Sequence, residues 1–435
     1  MSAVPTTRAV VAAGFGLVPA LFAAWLTPLG WLALVIDALL LLAMIFDFVR
    51  APRSLRVTRV VDEVLSAEVR HPVKVVLETE ARLGQRVRGE FRESVPPGPT
   101  VEAARQRFDF VDSFTAQWWL TPRTRGDLRL GETWLRLEGP WGLCSRQLSV
   151  PTSQTVRVYP DLRTLSRDAL SLARASDDVS RRVARVRREG REFESLREYR
   201  AGDDQRSIDW KATARRGRGI VRVHQPERNQ TVLLLLDCGR HMVGETLGRR
   251  RLDHAVDAAL RVAKVSLDRG DQVGVMAFAT SVQAWLPPRR GNEQLRAIAT
   301  ALYRVEATLE ESDYGAALDL AFARGARRSL VMVMTDLSDS DTSASLVKRT
   351  LRLVPRHLPL IVSMLDDDLQ RVVSEVPATR EAVLQRVVAT RLESESRATV
   401  ARLRDAGARV LRTSAAQLGP AAVNAYLDIK GRGRL

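Results

Sequence analysis

Residues Thr231–Asp237 read TVLLLLD, an uninterrupted apolar run of strand length that closes on a carboxylate. A strand with one wet face alternates, whereas a strand covered on both faces reads continuously, as buried parallel strands do. Leu252, Val256, Leu260, Ala263 and Leu267 follow at helical spacing, then DQVGVMAFA (Asp271–Ala279) as a second strand and Glu293–Tyr303 as a second helix. SLVMVMTD (Ser329–Asp336), the helical Ser343–Leu353, LPLIVSMLDD (Leu358–Asp367), an amphipathic helix around Glu381–Leu403 and ARVLRTS (Ala408–Ser414) continue the series. This alternation predicts an α/β domain over residues 231–435, built on a doubly wound, Rossmann-like parallel sheet. Ligands of such sheets sit beyond the carboxyl ends of the strands. Asp237 and Asp336, each closing a strand, therefore mark the candidate edge.

Upstream, residues 51–160 read as β. RVTRVVDEVL, HPVKVVLETE, TAQWWLTP, TWLRLEGP and QTVRVYP are short alternating runs separated by Pro and Gly, as in Pro96-Pro97-Gly98-Pro99. Their spacing predicts a small β-sandwich, with Trp118, Trp119, Trp134 and Trp141 as packing residues rather than a ligand cage. Residues 1–50 hold two apolar runs, Ala9–Leu26 and Leu29–Val49, joined by Thr27-Pro28. The lengths predict a two-helix transmembrane hairpin. Arg8 before it and Arg50, Arg53, Arg56 and Arg59 after it place both ends in the cytoplasm by the positive-inside rule. Asp37 falls inside the second run.

Residues 161–230 form a connector and an unusual segment. Gly190–Arg228 reads GREFESLREYRAGDDQRSIDWKATARRGRGIVRVHQPER. It sets Asp203, Asp204 and Asp209 among Arg197, Arg206, Lys211 and Arg215, with Tyr199 and Trp210 between them. So dense a mixture predicts ion pairs within the fold or across a partner surface. Acid/base chemistry by Asp203 and Asp204 is disfavoured, because no nucleophile or histidine accompanies them.

The pattern G-x-E-F-x-x-L-R-x-Y-x-x-G-D-D-x-R-x-I-D-W-x-x-x-A-R, from Gly190 through Tyr199, Gly202 and Trp210 to Arg215, resembles the signature of the family called domain of unknown function 58. The order of segments is also similar to that family: two membrane helices, a β-rich part, the signature, then a von Willebrand factor A-like domain. The resemblance implies a bacterial inner-membrane protein with cytoplasmic domains. It also implies a scaffold or adaptor that works with MoxR-type AAA+ ATPases in assembling or activating other proteins. The candidate partner-binding or structural residues are Arg197, Tyr199, Gly202, Asp203, Asp204, Arg206, Asp209, Trp210 and Arg215.

Von Willebrand A domains place magnesium at the sheet edge through D-x-S-x-S, a Thr and a late Asp. Here the first element reads Asp237-Cys238-Gly239-Arg240-His241, so Gly and His replace the serines. Ser312 stands where the Thr is expected, and Asp336 keeps the last carboxylate. A vestigial site with no cofactor is the favoured expectation, its carboxylates satisfied by Arg240 or backbone amides. Magnesium held by Asp237, Ser312 and Asp336 is the alternative. Asp339, Asp341, Asp366, Asp367 and Asp368 read as solvated loop residues rather than a second cation site. Glu310-Glu311-Ser312-Asp313 makes the rim acidic, a docking patch for a basic partner.

The formal net charge is +16 and the chain holds two cysteines and five histidines. Cys144 and Cys238 make no disulfide framework, and CxxC, HExxH, GxSxG and Walker A motifs are absent. These absences disfavour an enzyme; a metal-dependent hydrolase using rim carboxylates is the alternative function. The basic charge lacks interleaved aromatics, so nucleic acid is not an expected partner.

Overall fold

The computed structural model describes residues 2–22, 27–79, 86–161, 192–199, 208–225, 230–322, 328–337 and 340–431. They fall into two compact units, residues 1–159 and 160–435. The first unit opens with β1 (Ser2–Pro5), α1 (Thr7–Phe22) and α2 (Thr27–Arg50). Then come β2 (Leu55–Val60), β3 (Val64–Ser66), β4 (His71–Thr79), β5 (Val87–Glu93), β6 (Thr100–Glu102) and β7 (Arg105–Phe110). It ends with β8 (Ser113–Thr121), β9 (Gly126–Leu130), β10 (Thr133–Glu138), β11 (Cys144–Val150) and β12 (Gln154–Tyr159). The sheet orders are β1-β11-β10-β5-β7, β2-β4-β8-β6 and β3-β12-β9, and every pairing is antiparallel except β3 with β12. Alternation fixes which face is covered: in β4, Val73, Val75 and Leu77 are fully buried while Lys74 is exposed. They join Phe91, Trp118, Leu120 and Leu137 in one core. Trp134 and Trp141 are exposed, and the Arg70 guanidinium lies 4.2 Å over the Trp119 ring.

The expected fold class needs correction. The chain is mixed α/β with many antiparallel sheets, and its N-terminus enters a sheet, Ser2 pairing with Gln147 and Pro5 with Cys144. No transmembrane hairpin is found: among the described residues no helix is long and apolar enough to cross a membrane. The physical reason lies in the last turn of α2, which is fastened to the β-sheets. Asp47, fully buried, accepts from the backbone amides of Trp141 (2.7 Å), Leu143 (2.7 Å) and Cys144 (2.8 Å). Phe46 stacks on Trp141, and Arg146 donates to the Phe48 carbonyl oxygen at 2.9 Å. Asp37 is exposed.

In the second unit β13 (Glu192–Glu198) pairs with β14 (Ile220–Gln225), and α3 (Trp210–Arg216) lies between them in sequence. β15 (Thr231–Asp237) leads through the small hairpin β16 (Glu245–Thr246) and β17 (Arg249–Arg250) to α4 (Arg251–Asp268). β18 (Gln272–Phe278), β19 (Val282–Arg289), α5 (Asn292–Leu302), α6 (Tyr314–Phe322), β20 (Ser329–Met334) and α7 (Ser340–Leu353) follow. β21 (Leu358–Met364), α8 (Asp367–Ser374), α9 (Arg380–Asp405), β22 (Arg409–Thr413) and α10 (Leu418–Gly431) complete it. The sheet order is β19-β18-β15-β20-β21-β22, parallel except for the edge strand β19. Successive residues of β15 serve opposite faces. Val232, Leu234 and Leu236 pack with α4, α5 and α10. Leu233 and Leu235 pack with α6, α7 and α9. Each such side chain contributes about 1.5–3 kcal/mol by leaving water.

Candidate functional site

Three neighbouring parallel strands deliver three carboxylates to one edge. Asp237 ends β15, Asp336 lies two residues past β20, and Asp366 two residues past β21. Asp237 is 2% exposed. Its Oδ1 accepts from the Gly239 amide at 2.8 Å and from the Ser312 hydroxyl. Its Oδ2 accepts from the Tyr314 hydroxyl at 2.7 Å and the Thr335 hydroxyl at 2.6 Å, the two hydroxyls lying 2.8 Å apart. A carboxylate offers about four lone-pair sites, and four donors fill them. Burial first, then the Asp237 charge, push the Tyr314 phenol far above its usual range. It therefore stays a neutral donor rather than an acid or base.

The second half of the edge is ionic. Arg251, the first residue of α4, sends Nη1 to Asp336 Oδ2 and Nη2 to Asp366 Oδ2. Asp366 also caps α8, its Oδ1 accepting from the amides of Asp368 (3.1 Å) and Leu369 (3.0 Å). One guanidinium thus ties the start of α4 to the ends of β20 and β21. Arg240 is directed elsewhere: its Nη1 lies 3.1 Å from Glu311 and its Nε donates to His241 Nε2 at 3.2 Å.

These residues do not fit a magnesium ion. Mg²⁺ wants about six oxygens in octahedral order, but both oxygens of Asp237 are occupied by protein donors and Asp336 faces a guanidinium. Gly239 has no room for a ligand side chain, since a Cβ there would collide with Ser312 Oγ and stand 2.9 Å from the Glu310 carbonyl oxygen. Among the described residues no group of three or more His, Cys, Asp or Glu is placed to hold a metal. Of the other rim acids, Asp368 pairs with Arg371 at 2.6 Å. Asp339 and the Asp341 side chain lie outside the described residues.

Beside the edge runs the loop that joins α5 to α6. The Thr308 amide donates to the Cys238 carbonyl oxygen (2.8 Å), the Arg240 amide to that of Glu310 (2.9 Å), and the Asp313 amide to that of Ala279 (3.0 Å). The loop is therefore fixed to the ends of β15 and β18, while Leu309 is 82% exposed between that anchor and the exposed Glu310 and Glu311.

The signature hairpin is a second ordered feature. Asp209 caps α3, accepting from the amides of Lys211 and Ala212 at 3.0 Å each. Gly217 closes the helix in the left-handed region at φ 64°, where a side chain is disfavoured. The Ile220 amide donates to the Thr213 hydroxyl at 3.0 Å. This rigid turn leaves Trp210 71% exposed and Tyr199 40% exposed, with Arg215 also exposed. Arg197 is in β13, opposite Val221; its side chain, and Gly202, Asp203, Asp204 and Arg206, lie outside the described residues.

The sequence model of the family described as Protein of unknown function DUF58 matches residues 195–393. That match runs from β13 through the carboxylate edge into α9. Uncharacterized proteins of Mycobacterium bovis and Mycobacterium tuberculosis are 26% identical to the chain over 203 residues, 45% of this chain and 60% of theirs. The chain thus spans less than two thirds of the length of these relatives. Among solved structures, proximal thread matrix protein 1 from the mussel byssus is 12% identical over 47% of this chain and 46% of its own, with a TM-score of 0.26. An uncharacterized membrane spanning protein from Vibrio fischeri is 14% identical over 47% of this chain and 99% of its own, with a TM-score of 0.17.

Asp237, Ser312 and Asp336 were legible in the sequence as strand-end or loop residues, and the structure joins the first two directly. Arg251, Tyr314 and Thr335 were missed, and Asp366, expected to be a solvated loop residue, instead binds Arg251 and caps α8. Thr335 beside Asp336 was the available signal, as a hydroxyl next to a strand-end carboxylate. Arg251 gave none, because its partners are 85 and 115 positions away.

Proposed function

We propose that residues 231–435 form a von Willebrand factor A-like recognition module that binds protein partners and is not an enzyme. The resemblance of the signature segment makes a MoxR-type AAA+ ATPase the partner class, with the complex serving to assemble or activate other proteins. The observation that carries this reading is the loop Thr308–Asp313. Three backbone hydrogen bonds fix it to the sheet edge while it presents Leu309 beside the exposed Glu310 and Glu311. A rigid apolar anchor with a charged rim is how binding energy concentrates at an interface. Against the hydrolase reading stands the filled shell of Asp237, which offers no open position for a metal or an attacking water.

The test is affinity capture from a cell lysate by the purified full-length chain, with ATP hydrolysis blocked. Wild type is expected to retain an AAA+ ATPase. Leu309→Ala and Glu310→Lys/Glu311→Lys are expected to lose at least tenfold of it, as central anchors do. Retention of no ATPase, or equal retention by all three proteins, overturns the proposal.

A further inference from the structure

The outer face of the sheet β1-β11-β10-β5-β7 carries a cavity of about 680 Å³, within the range of about 300–1,000 Å³ that small-molecule sites occupy. Alternation decides what lines it. β10 turns Leu135 and Leu137 into the core and leaves Trp134 and Arg136 outside. β5 buries Phe91 and leaves Arg92 exposed and Glu90 half-buried. Trp134 stands opposite Arg92, Arg136 opposite Glu90, and Arg92 in turn opposite Arg105 of β7. Directly opposed side chains start about 5 Å apart. An indole and two guanidinia therefore share one row, with a third guanidinium in the next. Val95 and Val101 line the same cavity.

The charges in this cavity do not cancel. Arg105 pairs with Glu90, and the Gln147 amide turns its oxygen to Arg136, whose Nη2 donates at 2.7 Å. Glu93 also borders the cavity, but its side chain is spent on Arg59 in the core. Arg92 has no carboxylate partner among the described residues. Three guanidinia thus face the one carboxylate of Glu90, and Trp134 keeps 50% of its surface exposed beside them. A guanidinium fork matches a phosphate in bidentate fashion, and an open indole face takes a flat ring. The surplus of positive charge suits a phosphate monoester, which carries about −1.5 to −2 at neutral pH, better than a single carboxylate. Ring and phosphate occur together in a nucleotide. We propose that this cavity binds a nucleoside 5′-phosphate, its base stacked on Trp134 and its phosphate held by Arg92 with Arg105 beside it. The site lies wholly in the β-rich unit and does not rest on the partner assigned to the rim.

Isothermal titration calorimetry of the full-length chain with AMP tests it, adenosine and ribose 5-phosphate serving as the two halves of the ligand. AMP should bind at least about tenfold more tightly than either half, because stacking and phosphate contacts act together. Trp134→Ala should weaken AMP binding at least about fivefold, and Arg92→Gln at least about tenfold. Both side chains lie outside the core, so an unchanged urea midpoint should show that the fold survives. Arg92→Lys, which keeps the charge and loses the fork, should fall between wild type and Arg92→Gln. Arg107→Gln, exposed on β7 but not part of the cavity lining, should leave binding unchanged. The proposal is overturned by absence of heat with AMP at millimolar concentration or by equal binding of AMP and either half. Losses at Trp134 and Arg92 no larger than at Arg107 would reduce the effect to diffuse attraction and overturn it as well. Tighter binding of a single-stranded oligonucleotide than of AMP would assign the face to a nucleic-acid strand, and that too overturns it.

Discussion

In the β-rich unit Arg59 is 1% exposed and lies against a Glu93 side chain with no exposure, whereas in the α/β unit Arg251 is 14% exposed between Asp336 at 7% and Asp366 at 36%. Arg59 also donates to the Gly131 and Thr152 carbonyl oxygens at 2.9 Å each. The Thr133 hydroxyl donates to Glu93 at 2.9 Å. All of these partners come from the interior of one packed unit. Arg251 spends its donors on the ends of two parallel strands and so holds three connections in place at an edge. The same ion-pair chemistry is a core fastening in one unit and an edge clamp in the other. Burial decides which, because breaking a dry pair strands a charge and breaking a half-wet pair lets water in.

The largest expected effect is at the dry pair. Arg59→Met leaves Glu93 buried and uncompensated and should cost about 3–5 kcal/mol in urea unfolding. Arg59→Met/Glu93→Met should recover most of that loss, since apolar replacement of both partners removes the stranded charge. Equal losses in the single and double variants would show that the residues act by shape alone. Arg251→Met should cost less, about 1–3 kcal/mol, because Asp366 retains solvent and its capping bonds. A loss at Arg251 as large as that at Arg59 would erase the distinction drawn between core and edge. Asp209→Ala, which removes the cap of α3, should cost about 1 kcal/mol, read as faster amide exchange around Lys211–Thr213.

The smallest effect is a contrast in pH dependence between two glutamates. Burial pushes the Glu93 carboxyl above the ordinary glutamate range, outweighing the Arg59 charge and the hydrogen bonds from Thr133 and Arg59. At Glu393 burial acts in the same direction, but the hydrogen bonds and charges of Arg397 and Arg412 overcome it and hold the carboxyl below that range. The signs are opposite. A raised folded value means tighter proton binding in the folded state. The Glu93 contribution is therefore full below the ordinary glutamate value and is lost as pH rises through the raised one. The Glu393 contribution is present above the ordinary value and is lost as pH falls through the lowered one. Urea titrations at a series of pH values should show Glu93→Gln altering the profile on the neutral side and Glu393→Gln on the acid side. The same direction of change for both would refute the contrast.

Legibility in the sequence followed how local the physics is. Thr231–Asp237 and Ser329–Met334 are strands where their apolar runs stand, because cover on both faces writes itself into every residue. The helix read around Glu381–Leu403 spans Arg380–Asp405. The apolar N-terminal runs were misread as a membrane hairpin because hydropathy carries no information about Asp47, whose three amide donors lie 94–97 positions downstream. At the edge, strand-end acids were visible from strand periodicity. The cation that neutralises them was not: the sequence offered Arg240, close to Asp237, but Arg240 pairs with Glu311 and Arg251 meets Asp336 and Asp366.

The central proposal is that protein donors and a guanidinium close this edge and leave no place for a metal. Thermal unfolding of the full-length chain in excess Mg²⁺ and in EDTA, at matched ionic strength, tests it directly. Superimposable curves are the predicted result. A cation bound at a hundred times its dissociation constant would stabilise the fold by about 2.7 kcal/mol, so a clear rise in melting temperature with Mg²⁺, abolished by Asp237→Ala, would contradict it.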